Sequence, residues 1–258
     1  MASRTPLRGA RNASEPAPRT ELSRRRILDA AQALIEREGD RALTFRRLGA
    51  ELGVDPTAAY RHFRNKDDLL LALGDRLLGE AIDAAVAETP GNSGWRERMR
   101  LAAHSIRNTL VRHPNLAQLI SVRITQGEHE ALGIEATLAT LAQTGLPTRE
   151  IVAIQRAFAD TVLAWSSFSA TFDALPAEAK ARDTAAWVTT YRTLPAADFP
   201  HIHAASPYLD EFDDAFDIAL DLMFDGIEAR IAAHEAPKAR EASDSSNAST
   251  PARSQETE

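Results

Sequence analysis

Apolar residues return every three or four positions along nearly the whole chain, and no stretch alternates as a half-buried strand would. Ile27, Ala30, Ala31, Leu34 and Ile35 mark one face of a first helix, which Gly39 is placed to stop. Thr44 is placed to cap a short second helix that turns Phe45, Leu48 and Leu52 inward, and Asp55-Pro56 offers a cap and first position for a third. Asn65 with Asp68 resembles a capping box for a long helix over 67–88, which PGNSG at 90–94 breaks. Further helices are expected over 95–112, 115–124, 128–143, 148–172, 177–191 and 208–233. The pattern predicts an all-α chain, an N-terminal three-helix unit followed by a larger helical domain. The expected division is a disordered basic arm over 1–22, the three-helix unit over 23–68, a larger helical domain over 69–235, and a disordered tail over 236–258.

Charge divides along the same line. Residues 1–70 carry a net charge of +4 and residues 71–258 carry −11, within a total of −7. A basic end on an acidic body is the distribution expected when one end meets a polyanion. The chain has no cysteine, which removes disulfides and thiolate metal sites and suits a reducing cytosol. No apolar run reaches the length of a membrane span, and the arginine-bearing N-terminus lacks the apolar core of a secretory leader. A cytoplasmic protein with no membrane partner is expected.

The segment TFRRLGAELGVDPTAAYRHF, residues 44–63, has the lengths of a helix-turn-helix. Gly53 sits where the turn needs a positive φ, and Gly49 leaves room for the second helix to approach. Ala59 and Phe63 face inward, so Thr57, Ala58 and Arg61 face outward with Tyr60 and His62 at the flanks. Such a helix enters the major groove by its N-terminal part. Arg61 is the candidate for guanine, while Thr57 and Ala58 are small enough for close approach and bear methyls for thymine. Tyr60, His62 and Lys66 are candidates for phosphate, as are Thr44 and Arg46 on the preceding helix and arginines 24–26. From the residues alone, a plain helical hairpin with a solvated charged face stands equally open.

The stretch LTFRRLGAELGVDPTAAYRHFRNKDDLLLAL, residues 43–73, closely resembles the DNA-binding domain of TetR-family transcriptional regulators. The preceding RRRILDAAQALIEREG fits the same pattern. Two positions depart from it: Ala59 stands where a larger aliphatic residue is usual, and Ala58 where Thr or Ser is frequent. The resemblance implies a homodimeric regulator, usually a repressor, on a near-palindromic duplex operator. It also implies an unidentified small-molecule effector that binds the C-terminal domain and moves the 67–88 helix.

In the body, the 148–172 helix carries Ile151, Ile154, Phe158, Trp165, Phe168 and Phe172 as expected core. A second row of small residues includes Ala153, Ala157 and Ala164. The last helix has a second row with Ala215, Ile218 and Leu222. Helices apolar on two sides need covering on both. A second copy of the chain is the expected cover, with the 173–207 segment as the alternative. His104, Asn108, Arg123, Gln126, Gln155, Trp165 and Phe168 are candidates for an effector pocket. Asp213, Asp217, Asp221 and Asp225 share a helix face, expected to be solvated rather than to hold a cation. No cofactor or metal is expected. No P-loop, nucleophile elbow or dinucleotide fingerprint is present, and His129-Glu130 lacks the second histidine of a zinc motif, so no enzyme is expected. The alternatives are a helical small-molecule binder without DNA preference and an architectural DNA binder without effector.

Overall fold

A computed structural model describes residues 22–209 and 215–248, with side chains as far as Pro237. Most of the expected arm, Asp213 and the last ten residues of the tail lie outside the described residues. Among the described residues there are eleven α-helices and two short 3-10 turns, and no strand.

Local chemistry sets the N-terminal boundaries. Helix α1 (Arg24–Glu38) starts where Ser23 Oγ accepts from the Arg26 N–H at 3.3 Å, and it ends at Gly39 with φ 80°. A 3-10 turn (Asp40–Ala42) leads to α2 (Phe45–Leu52) and α3 (Pro56–Ala59). Helix α4 (Lys66–Glu88) starts at Asn65, whose Oδ1 accepts from the Asp68 N–H at 2.8 Å. Asp68 reaches back to the Arg64 N–H at 3.0 Å, so the reciprocal bond falls one residue before the cap.

Helices α5 (Trp95–Arg112), α6 (Pro114–Ile120), α7 (Glu128–Ala142) and α8 (Thr148–Asp173) build the body around α4. Helices α9 (Ala177–Arg192), α10 (Pro200–Ala205) and α11 (Ala215–Ala248) follow. The first core joins Ile27, Leu34, Leu48, Phe63, Leu69, Leu73 and Leu77 to Leu116 and Ala117 of α6 and Ala170 of α8. It therefore runs without a break across residue 68. The second core gathers Met99, Ala103, Leu141, Phe158, Val162, Phe216, Leu220 and Phe224. Trp95 meets Phe224 edge-on at 5.7 Å, a favoured aromatic geometry.

Four expectations need correction. Helix α6 stops at Ile120 rather than 124, because β-branched Val122, Ile124 and Thr125 before Gly127 disfavour another turn. The last helix is described from Ala215 rather than 208, where a 3-10 turn (Ser206–Tyr208) stands, and it continues through Pro237 to Ala248. Pro237 removes one N–H, and the Ala, Lys, Arg and Glu residues after it are good helix formers. Phe168 and Phe172 are not core: they are 63% and 37% exposed, because α8 turns that part of its apolar face outward. The acidic face of α11 is not simply solvated. Arg96 lies 2.8 Å from both Asp221 and Asp225 and 3.1 Å from Glu228, while Arg100 pairs with Asp221 and Asp217. Bonds to Asp221 and then Asp225 raise the Arg96 pKa, and bonds to Arg96 and then Arg100 lower that of Asp221.

Helix α9, helix α10 and the turn after it bury none of their residues. Ala153, Ala157, Ala164, Ala215, Ile218 and Leu222 are all exposed, so the 173–207 segment does not cover these rows within one chain.

Candidate nucleic-acid interface

Each joint of the hairpin has a local cause. Thr44 Oγ1 accepts from the Arg47 N–H at 3.1 Å and starts α2. Gly53 closes it in the left-handed region at φ 64°, ψ 32°, which costs a glycine little. At Gly49 an added Cβ would lie 3.0 Å from Pro56 Cα and from the Val54 carbonyl, so only glycine lets α3 come this close. Asp55 Oδ1 accepts from the Thr57 N–H at 2.8 Å and from the Thr57 hydroxyl at 2.6 Å. The Thr57 hydroxyl and then its N–H hold the Asp55 carboxyl below its ordinary pKa. Pro56 takes the first helical position, where a missing N–H matters least.

The α-helical part of the recognition segment is short. After Ala59 the chain tightens, with Tyr60, Arg61 and His62 N–H groups donating to the carbonyls three residues back. Ala59 and Phe63 are buried as expected. Thr44, Arg46, Thr57, Tyr60 and Arg61 are exposed, and Ala58, His62 and Lys66 are half-buried. The Tyr60 ring rests on Phe45 with centroids 4.2 Å apart. Arg24 lies over the Phe63 ring at 4.3 Å and donates to the His62 carbonyl at 3.2 Å, which ties α1 to the recognition segment. Lys66 Nζ donates to the Asp40 carbonyl at 2.5 Å, so this ammonium is a strut as well as a surface cation.

The cations differ in how they are matched. Arg37 pairs with Glu38 and Glu51, and Arg47 with Glu38; Arg47 and then Arg37 lower the Glu38 pKa. The guanidinium groups of Arg46, Arg61 and Arg64 have no acid partner among the described residues. The outward surface therefore presents unmatched positive charge beside a hydroxyl, a phenol and an imidazole, a set suited to phosphate and base edges.

The two parts of this chain match two sequence families. Residues 27–73 match the family described as bacterial regulatory proteins, tetR family, and residues 88–231 match the tetracyclin repressor-like C-terminal domain. The chain belongs to the TetR family. That family is one of regulators, in line with the missing catalytic motifs. Among its relatives is the HTH-type transcriptional repressor Rv1353c of Mycobacterium tuberculosis, 36% identical over 124 residues, which are 46% of this chain and 47% of that protein. The chain thus spans about half the length of this relative. The tetracycline repressor protein class A from transposon 1721 of Escherichia coli is 28% identical over 82% of this chain and 93% of its own. Among solved structures, SCO7222, a TetR from Streptomyces coelicolor, superposes with a TM-score of 0.69 at 26% identity, over 81% of this chain and 99% of its own. The S. coelicolor protein ActR in complex with (S)-DNPA gives 0.66 at 26% identity, over 81% and 98%.

The body of this TetR-family chain holds a cavity of about 40 Å³ between α4, α5, α6 and α8. Gly74, Leu77 and Leu78 of α4, Ile106, Thr109 and Leu110 of α5, Ile120, Thr125, Glu130 and Leu163 help to wall it. Such a space suits a few waters rather than a drug-sized ligand, which needs roughly 300–1,000 Å³. Of the expected pocket residues, only Arg123 lines it. The others lie elsewhere, according to where their helices turn. His104 Nε2 lies 2.8 Å from Asp217 Oδ1 and its ring meets Phe216 edge-on, so it faces α11. Asn108, one turn on, is exposed, and so are Gln126 and Phe168. Trp165 packs on Phe216 in the second core, and Gln155 is half-buried on α8 away from the cavity. The missed wall residues of α4 carried a readable signal: Gly74, Leu77, Leu78 and Ala81 recur at helical spacing with a glycine among leucines. Among the described residues no group of side chains could hold a metal ion, and no helix is long and apolar enough to cross a membrane.

Proposed function

We propose that this chain is a cytoplasmic repressor that binds one near-palindromic duplex as a homodimer and is released by a small-molecule effector. The observation that carries the DNA reading is the outward surface of the hairpin, where Arg46 and Arg61 have no acid partner among the described residues and stand beside Thr57 and Tyr60. Arg61 reads guanine; Thr57 and Ala58 allow close approach; Thr44, Arg46, Tyr60, His62 and Lys66 hold phosphates and set the register. The exposed rows on α8 and α11 support a second copy of the chain as their cover, through Ala153, Ala157, Ala164, Ala215, Ile218 and Leu222. A two-fold dimer then maps onto an inverted repeat. The cavity beside α4 supports an effector site, and an effector larger than a few waters enters only if the cavity widens. Relatives lend weight to both ends: ActR was solved with actinorhodin, and BioQ, alike in fold, with its double-stranded DNA operator.

The test is selection from a random duplex library with purified protein at moderate salt. Enrichment of a single inverted repeat is expected. Binding without enrichment would favour an architectural binder, and no binding with or without candidate effectors would remove the DNA reading.

A further inference from the structure

The residue that precedes helix α7 is Gly127, which has no side chain to cap it. The cap comes from another helix. Asp75 of α4 accepts from the Glu130 N–H at 3.0 Å through Oδ1, and its Oδ2 lies 2.9 Å from His129 Nδ1. The Thr125 hydroxyl, with one proton to give, lies 3.1 Å from Glu130 Oε2 and 3.3 Å from Asp75 Oδ1. Two glycines far apart in sequence make this contact possible. A Cβ at Gly127 would overlap the Asp75 carboxylate, and a Cβ at Gly79 would lie 2.7 Å from the His129 ring. Burial works against the charge of Asp75, yet the Glu130 N–H and His129 outweigh it and its carboxyl stays below its ordinary pKa.

The same loop is tied to α4 a second time. Arg123 donates to both Asp67 oxygens at 2.9 Å, two helical turns before Asp75 and next to the Lys66 strut. Between the two ties, Gln126 holds φ 58°, a value non-glycine residues seldom adopt, with its N–H donating to Glu130 at 2.8 Å. Arg123, Thr125 and Glu130 also wall the cavity, and Thr125 lies against Gly74. Loop 121–127 is therefore one wall of the cavity and is fastened at both ends to the helix that carries the hairpin.

We infer that Asp75 is a positioning residue for DNA binding: by capping α7 from α4 it fixes α4, and with it the recognition surface, against the cavity wall. This rests on the operator reading above.

The experiment uses the full chain, the selected duplex and three readouts: operator affinity, amide exchange at residues 128–131, and thermal melting. Asp75→Ala is expected to speed exchange in the first turn of α7. It should weaken operator binding by roughly tenfold at a temperature where the variant is fully folded, within the range that remote positions exert on coupled sites. Asp75→Asn keeps an acceptor for the Glu130 N–H and should stay near wild type in both. His129→Leu, at a half-exposed ring, should remain folded and cause a smaller loss of affinity. Wild-type affinity in Asp75→Ala, or in His129→Leu should Asp75→Ala fail to fold, overturns the inference. So does Asp75→Asn losing affinity and melting temperature in parallel with Asp75→Ala, because that is the mark of a purely structural role. Failure of the wild-type protein to enrich any duplex sinks the operator reading instead, whereas binding that the variants leave intact sinks only the role of Asp75.

Discussion

Two sets of arginines in this chain have opposite surroundings. On the hairpin, Arg46 and Arg61 stand exposed without acid partners among the described residues, while on α5, Arg96 and Arg100 each lie against two or more carboxylates of α11. The residue type is the same, and the partner decides the use. An unmatched guanidinium is available to a polyanion, and a matched one is a tie between helices. The acidic body therefore does not repel DNA through the α11 aspartates as strongly as their number suggests, because much of that charge is already met.

The largest expected effect sharpens the structural side of this contrast. Phe224 is fully buried where α5, α8 and α11 meet, with Trp95 and Phe158 around it and Arg96 and Arg100 over its ring. Phe224→Ala should lower unfolding stability by about 3–5 kcal/mol in a denaturant titration. A loss well under this would mean that the α5–α11 seam closes over the vacancy.

A middle-sized effect tests the contrast itself. Arg61→Ala should weaken specific operator binding by about 1–3 kcal/mol and relax one base position, with melting unchanged. Arg96→Gln should leave operator binding unchanged and alter stability by less than about 1 kcal/mol, as expected of partly exposed pairs. Equal losses of affinity from both would erase the distinction between matched and unmatched cations.

Legibility followed the same division. Caps and turns act over three or four residues, so Thr44, Asp55 and Asn65 before their helices and Gly53 inside the turn could be read directly. Gly49 was legible as a close approach because its partner lies only a few residues on. The wall of the cavity was not, because which face of α5 turns to α4 and which to α11 depends on packing between distant segments. His104 lies across from Asp217, and neither residue names the other in sequence. The exposure of Phe168 and Phe172 was hidden for a like reason: periodicity marks an apolar face without saying that the same chain covers it.

The smallest effect concerns the seam between hairpin and body. His113, at the α5–α6 junction, faces Gln32 and Glu36 of α1 and Glu80 of α4, with Arg76 and Arg112 nearby. Burial first of all lowers its pKa from 6.5; Glu80 opposes this, and Arg112 and Arg76 reinforce it. The folded state thus takes up the proton less readily than the unfolded chain. Stability should be unaffected by this group above pH about 6.5, fall as the pH drops below that value, and level off under the lowered pKa. His113→Gln should flatten that part of a pH series of melting temperatures. An unchanged slope would assign the pH response to other groups.

The Lys66 ammonium on the Asp40 carbonyl brings the two ends of the reading unit to one place. A segment closed on itself can exchange its outward letters without renegotiating its borders. If 57, 58 and 61 read bases as proposed, substitutions there can explore new operators in evolution, or in a designed sensor, while the closure and the glycines hold the shape in which those letters are presented.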